Sequence, residues 1–179
     1  MSEIMTCSKK MFDPLHPDVK LIDIEDIAHS LSMLCRANGH FRTFYSVGQH
    51  SINCMREAKA RGYDPRLQMA CLLHDASEAY LSDVTRPVKA ELPQYKRIEE
   101  PLQNTIWNKW LIRPLSEHEN KLVFEVDDHI LAHEFINLFG EKLVDPTPTL
   151  LSQPEFSFTG FTQCETEFLQ AFRQLLPLL

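Results

Sequence analysis

Apolar residues recur every three or four positions along most of this chain, and this helical period constrains its fold more than any other feature. No stretch alternates apolar and polar residues for long enough to form a real sheet. The pattern therefore predicts an all-α bundle of about six helices. Residues 1–22 carry Pro14 and Pro17 without a sustained period, so we expect an irregular N-terminal segment there, with room for a short hairpin.

Start and stop signals divide the pattern into six helices. Small polar residues supply the N-caps, and glycines supply most of the stops. In chain order we expect helix one from the cap Asp23 through Cys35, with its stop at Asn38-Gly39; helix two from a capping box at Ser46–Gln49 to Gly62; helix three from Asp64-Pro65 through Glu78; helix four from Pro93 to Trp110, kinked or split at Pro101; helix five from a capping box at Ser116–Glu119 to Gly140; and helix six from a capping box at Thr162–Glu165 through Leu175.

Shorter features complete this layout. A brief helical piece is expected at residues 88–92, after a turn. Prolines break every period in residues 143–161, which predicts a surface loop, and residues 162–179 form the C-terminal helix. The whole chain, residues 1–179, is most simply one domain.

Composition excludes several classes of protein. The chain has 179 residues, 44% of them hydrophobic, which is enough for one ordinary core. Its net charge of -7 argues against a nucleic-acid binder with a broad basic surface, although a small anion can still bind where cations gather locally. The five cysteines show no CxxC spacing, so we expect reduced thiols in a cytoplasmic protein. No window is apolar enough for a membrane span.

Three polar residues interrupt the apolar face of helix three. His74, Asp75 and Glu78 are spaced so that all three can point into one space about a helical turn tall. Charged groups in such a place need a partner. A vicinal His-Asp pair followed by a carboxylate suggests a metal-hydrolase core, but an exposed polar patch or a buried His-Glu hydrogen bond accounts for this stretch nearly as well.

Further ligands are available on two other helices. Asp127 is flanked at helical spacing by apolar residues, so it should face inward, where a carboxylate needs an ion or a partner. His50 falls in the first turn of helix two, and spacing alone favours a capping or surface histidine. Two imidazoles with two carboxylates suit manganese, iron, cobalt, nickel or zinc.

The order His50, His74-Asp75, Asp127 resembles the H…HD…D pattern of the HD-domain metal-dependent phosphohydrolases. Residues 74–89, HDASEAYLSDVTRPVK, are similar to the same region of bacterial 5′-deoxynucleotidases and of phage dATP triphosphohydrolases in that family. Residues 24–51 resemble a prophage-associated branch, and the similarity extends over roughly residues 4–140. The resemblance implies a single HD domain.

Roles for individual residues follow from the resemblance. It implies that His50, His74, Asp75 and Asp127 bind a divalent transition metal, and that Glu78 is the catalytic glutamate beside the attacking water. General chemistry agrees with these roles, because a divalent ion activates water and a nearby carboxylate can move its proton.

The resemblance also implies substrate contacts. Asp83 matches a carboxylate that contacts the sugar 3′-hydroxyl, and Arg36 matches an arginine near the phosphate. Arg36 and Lys89 both have the charge to bind a phosphate, although without the resemblance each is more simply a solvated surface cation. Similar deoxynucleotidases have tryptophan after that arginine to exclude a 2′-hydroxyl, whereas this chain has Ala37, so selectivity for deoxyribose stays open.

The resulting prediction is a metal-dependent phosphohydrolase of deoxynucleoside 5′-phosphates. A 5′-deoxynucleotidase acting on dNMP is favoured, because few basic residues lie near the motif. The alternatives are a dNTP triphosphohydrolase releasing triphosphate, a phosphodiesterase of cyclic or short oligonucleotides, and a non-catalytic helical module that the metal only stabilises. The expected partner is a small nucleotide rather than extended nucleic acid or a membrane, and the resemblance implies a homo-oligomer.

Overall fold

A computed structural model describes residues 3–179 of the chain. Within this part the fold is mostly helical, which confirms the predicted all-α class. Eight α-helices are present in this part: counterparts of the six expected helices, the brief helical piece expected near residues 88–92, which lies at Arg86–Ala90, and a four-residue helix at Glu78–Leu81. The helices are α1 (Ile24–Met33), α2 (Val47–Ala60), α3 (Pro65–Leu72), α4 (Glu78–Leu81), α5 (Arg86–Ala90), α6 (Pro93–Trp110), α7 (Glu117–Glu134) and α8 (Phe161–Leu175).

The N-terminal segment contains the short hairpin. Strand β1 (Ile4–Met5) pairs antiparallel with β2 (Met11–Phe12), with Ile4 opposite Phe12. The backbone N–H and hydroxyl of Ser8 both donate to the Asp26 carboxylate, at 2.6 and 2.7 Å. The hairpin is therefore tied to the first turn of α1.

Helix α2 occupies the centre of the bundle. It packs against α1, α3, α7 and α8, and most of its residues are buried. Several of those buried residues are polar, which is costly unless each finds a partner. They fall on two faces: His50 and Cys54 face the α3 and α7 side, whereas Gln49, Asn53 and Glu57 bind the segment that follows α7.

The expected continuous third helix is wrong. Helix α3 ends at Leu72, and the chain then makes tight turns in which the Ala76 N–H donates to the Leu73 carbonyl. Gln103 on α6 supplies the reason, because its amide accepts from the Ser77 N–H at 3.0 Å and donates to the Leu73 carbonyl at 2.7 Å. These bonds replace helical hydrogen bonds, so His74 and Asp75 lie in a turn between α3 and α4.

Helix one is also shorter than expected. It ends at Met33, and the following residues are extended: the Val47 N–H donates to the Leu34 carbonyl, and the Arg36 N–H donates to the Tyr45 carbonyl. A short 3-10 segment, Arg36–Gly39, then forms the turn. The backbone hydrogen bonds of Leu34 and Arg36 with residues 45–47 take the place of further helical bonds, so α1 ends before them.

Helix caps agree only in part with the predictions. The capping box of Ser116 and Glu119 is confirmed. Ser46 caps α2, but the Gln49 side chain binds the carbonyls of Glu155 and Ser157, so this reciprocal box is wrong. The box expected at Thr162–Glu165 is also wrong, because α8 begins at Phe161 and its N-cap is Gly160.

Helix α6 runs continuously through Pro101, so the expected alternative of a split there is wrong. Arg97 and Pro101 are both exposed. The carbonyl that loses its N–H donor to the proline ring therefore lies on the side facing water, which lowers the cost of the missing bond.

Residues 141–160 form no helix or strand, as expected of the predicted loop. Their path is set by α2. Asn53 exchanges hydrogen bonds with the backbone of Glu155, and the Glu57 carboxylate accepts from the backbone N–H groups of Leu151 and Ser152. Within residues 3–179, no helix is both long and apolar enough to cross a membrane.

Candidate metal centre

Four side chains from three separate stretches of the chain converge where α2, α7 and the turn after α3 meet. His50 Nε2 lies 3.2 Å from His74 Nε2 and 3.0 Å from Asp127 Oδ1. Asp75 Oδ2 lies 3.3 Å from His74 Nε2 and 3.7 Å from His50 Nε2. The structure thus brings together all four residues expected to bind a metal.

Helix packing explains why these residues point inward. Asp127 lies on the face of α7 that carries the buried residues Val123 and Ile130, whereas the neighbouring Asp128 is exposed. His50 is completely buried. The capping or surface position that spacing favoured for His50 is therefore wrong, because α2 lies inside the bundle and its first turn faces α7.

Hydrogen bonds fix the orientation of both imidazoles. His74 Nδ1 donates to the Cys71 carbonyl at 2.8 Å, and His50 Nδ1 lies 2.5 Å from Glu134 Oε1. A bond at Nδ1 sets the tautomer that leaves Nε2 free to bind a metal. Both Nε2 atoms then face the same small space.

The residues present fit a divalent cation. His50, Cys54, His74 and Asp127 each offer one ligand atom, and these atoms all lie within 4.8 Å of one another. All four residues are buried. Nitrogen, sulfur and carboxylate donors in one dry cluster are the chemistry of a transition-metal site. This buried group could therefore bind a metal ion, and it is compatible with an HD-like metal site.

Attraction between the imidazoles and the carboxylates of the cluster favours the charged form of each group. Burial alone would raise the pKa of Asp127, but hydrogen bonds with His50 and His74 lower it well below its usual range. Burial alone would lower the pKa of His74, yet Asp75 and Asp127 raise it. A cation would replace the imidazole protons, because ligand and proton share the Nε2 lone pair.

Arg36 contacts the carboxylates around the cluster. Its guanidinium lies 2.9 Å from Glu134, 3.3 Å from Asp75 and 3.5 Å from Asp127. Burial would lower the arginine pKa, but these carboxylates raise it well above its usual value. Arg36 is therefore a fixed positive charge beside two of the expected metal ligands.

Glu78 begins α4 and is almost fully buried. Lys89 Nζ lies 3.3 Å from Glu78 Oε1 and 2.6 Å from Glu99 Oε1. Within residues 3–179, Glu78 Oε2 has no hydrogen-bond partner. Burial and then the charges of Asp75 and Asp83 raise the pKa of Glu78 well above its usual value. Glu78 therefore takes up a proton more readily than an exposed glutamate, in part because the negative charge of Asp75 favours its neutral form.

Asp83 has a backbone partner. Its Oδ2 accepts from the Ala37 N–H at 3.1 Å. Ala37 adopts a positive φ of 54°, which is unfavourable for a residue with a side chain. The Asp83 contact helps to hold this turn, and the turn positions the adjacent Arg36.

Three residues of the site escaped the sequence interpretation. Cys54 follows His50 by four positions and Glu134 follows Asp127 by seven, so helical spacing would have placed each on its partner's face. Arg86 lies 2.6 Å from Asp127 and 2.5 Å from Asp128. No sequence signal pointed to that pairing.

Comparisons with known proteins establish similarity without an activity. No family model matches the chain. It is 41% identical over 117 residues to the uncharacterized protein YfdR of Escherichia coli, covering 64% of this chain and 62% of that protein. It is 42% identical over 90 residues to an uncharacterized protein of Rhodobacter capsulatus, covering 48% of this chain and 45% of that protein. The chain thus spans less than two thirds of these relatives' lengths.

Proposed function

We propose that this chain is an HD-domain phosphohydrolase that uses a divalent metal to hydrolyse deoxynucleoside 5′-phosphates, with dNMP as its substrate. The observation that carries the proposal is the unpaired oxygen of the buried Glu78 carboxylate, together with the charge of Asp75, a member of the cluster, which helps to raise the pKa of Glu78. A metal that served only to clamp the helices would need no such group. The similarity of residues 74–89 to 5′-deoxynucleotidases supports the substrate class.

The metal would be held by His50, His74, Asp75 and Asp127. When bound, it would offset the charge on a phosphoryl oxygen and make water a better nucleophile near neutral pH. The remaining work falls to side chains of this chain, which must hold the substrate, move a proton and support the ligands.

Glu78 is the general base in this proposal. Its raised pKa means that this carboxylate binds a proton more tightly than an exposed glutamate does, which is the property a general base needs. Lys89 orients one carboxylate oxygen at 3.3 Å and leaves Oε2 to accept the proton of the attacking water.

Arg36 and Lys89 supply positive charge for the phosphate. Arg36 donates in several directions at once, so it can hold carboxylate ligands while it stabilises negative charge on the substrate. Asp83 acts on the same region, because its bond to the Ala37 N–H shapes the turn next to Arg36.

A dNTP triphosphohydrolase is the second candidate, and Arg86 favours it. This arginine adds a third cation at the site, and its side chain is 56% exposed, so it can turn from Asp127 and Asp128 to a longer phosphate chain. Both reactions break the bond between O5′ and phosphorus.

Product analysis tests the proposal and separates the two candidates. The whole chain, supplied with manganese, cobalt or zinc, is incubated with dAMP, AMP, dATP and a cyclic dinucleotide, and the products are separated chromatographically. We expect inorganic phosphate from dAMP. Triphosphate from dATP would favour the second candidate, and hydrolysis of the cyclic dinucleotide would favour a phosphodiesterase. No turnover of any substrate with any metal would overturn the enzyme assignment.

A further inference from the structure

We propose that Cys54 is a direct ligand of the metal in this centre and that its sulfur makes the site prefer zinc, iron or cobalt over manganese and magnesium. The inference rests on the metal centre of the proposed function, but it does not depend on the substrate. It assigns a role to a side chain that lies outside the H…HD…D pattern.

Cys54 is placed for ligation by its own helix. It follows His50 by four residues on α2, so both side chains project from the same face. Its Sγ lies 3.4 Å from His50 Nε2, and the residue is 1% exposed. The thiol therefore faces the cluster of ligand atoms and has no access to solvent.

The distances between donor atoms match those of a metal's coordination shell. Bond lengths of about 2.0 to 2.1 Å for zinc to nitrogen and about 2.3 Å for zinc to sulfur give tetrahedral edges of about 3.3 Å between two nitrogens and about 3.5 Å between nitrogen and sulfur. The observed separations from His50 Nε2 are 3.2 Å to His74 Nε2 and 3.4 Å to Cys54 Sγ. Asp127 Oδ1 lies 3.0 Å from the same nitrogen.

In this proposal a sulfur ligand from Cys54 would join Asp75 around the metal rather than replace it. Asp75 Oδ2 approaches His74 Nε2 at 3.3 Å and is also bound by Arg36 at 3.3 Å. The sulfur thus adds a donor to the nitrogen and carboxylate donors, and five-coordinate arrangements are known for zinc.

The simpler interpretation of Cys54 is a core cysteine that only fills space. Cys164 is a core cysteine of this kind. It is as buried as Cys54, but its Sγ contacts the Ser46 hydroxyl at 3.3 Å, away from the cluster. Cys54 instead contacts a metal-binding nitrogen. Cys164 therefore provides a matched control.

Sulfur ligation has a defined chemical consequence. As the cation binds, the S–H bond breaks, the electron pair stays on sulfur, and the proton leaves to solvent. Thiolate is a soft donor, so it favours zinc, iron or cobalt, whereas manganese and magnesium favour oxygen donors. The centre would then discriminate among metals at Cys54 rather than at its carboxylates.

Cobalt spectroscopy on the whole chain tests the proposal. Metal-free protein is titrated with Co²⁺, and thiolate ligation is recorded as a sulfur-to-cobalt charge-transfer band in the near ultraviolet. We expect the band in the wild type and in Cys164→Ala, and we expect its loss in Cys54→Ser with cobalt still bound. The preference for zinc over manganese, measured by competition, should fall at least about tenfold in Cys54→Ser.

The outcomes separate this proposal from the proposed function. Bound cobalt without a thiolate band in the wild type, or a band that survives in Cys54→Ser, overturns sulfur ligation and leaves the phosphohydrolase standing. Failure of the wild type to bind any of these metals overturns both. If Cys54→Ser does not fold, X-ray absorption of the zinc-loaded wild type decides: a sulfur neighbour at about 2.3 Å supports the proposal, and its absence overturns it.

Discussion

His50 Nδ1 lies 2.5 Å from Glu134 Oε1, although the two residues are 84 positions apart in the chain. The other oxygen of Glu134 lies 2.9 Å from Arg36 Nε. One fully buried carboxylate thus orients an expected metal ligand and holds the arginine that contacts Asp75. Burial would raise the pKa of Glu134, but Arg36 and His50 lower it to about 2, so it stays charged.

Glu134→Gln should weaken metal binding. The amide can still accept a hydrogen bond from His50 but no longer offers a negative charge to the imidazole and the guanidinium, so we expect the metal affinity to fall about 10- to 100-fold. Competition with a chelator measures the affinity. Glu117→Gln, on the exposed first turn of the same helix, is the control and should bind normally. Equal affinity in both variants would contradict the orienting role.

Glu78→Gln should abolish most turnover while leaving the metal in place. Removal of a general base typically costs about 10²- to 10⁴-fold in rate. Glu99→Gln is the control, because the Glu99 carboxylate also forms an ion pair with Lys89 but is more exposed than that of Glu78. Steady-state rates and metal content are measured on the same samples. Unchanged turnover in Glu78→Gln would show that Glu78 is not the general base.

Acid should loosen the 141–160 segment from α2. The buried Glu57 carboxylate accepts from the backbone of Leu151 and Ser152 and from Arg61. Burial would raise its pKa, but these hydrogen bonds lower it from 4.5 to about 2. Because the folded-state pKa is depressed, the stabilisation is fully present above pH 4.5 and is lost as the pH falls toward 2.

The shift corresponds to about 3 kcal/mol of the free energy of unfolding. We expect Glu57→Gln to be less stable than the wild type at neutral pH, and we expect the difference to shrink as the pH falls below 4.5. Urea unfolding across that range measures it. A stability difference that does not vary with pH would show that the charge of Glu57 plays no part.

Gly48→Ala should destabilise the junction of α1 and α2. A Cβ at this position would lie 3.2 Å from the Leu31 carbonyl and 3.1 Å from Cys164 Sγ, and the backbone atoms cannot move without shifting a helix. Alanine would otherwise favour a helix by about 1 kcal/mol, so a net loss of about 1 to 3 kcal/mol would mark the close approach. Thermal unfolding measures the effect. Gly160→Ala meets nothing within 4 Å and loses only the N-cap preference of glycine over alanine, so it should cost less than about 1 kcal/mol.

Most of the secondary structure could be predicted from patterns between residues that are close in the sequence. The period of apolar residues was enough to predict a helical bundle, and the caps at Asp23, Asp64 and Ser116 mark helix starts because each side chain bonds a backbone N–H nearby in sequence. Where the predicted secondary structure was wrong, the cause was a residue far away in the sequence. Gln103 lies on α6, yet it interrupts the helix expected across His74 and Asp75.

By itself the sequence predicted His74, Asp75 and Asp127 as possible metal ligands from residue type and helical spacing, and it pointed to His50 only through the H…HD…D resemblance. Only the tertiary structure decided that His50 is buried, that Glu134 and Arg36 support the cluster, and that Cys54 faces it. The physical reason is that residue type and helical period show only which side chains share one face of a single helix. Contact between side chains of different helices depends on how the helices pack, and no local pattern encodes that.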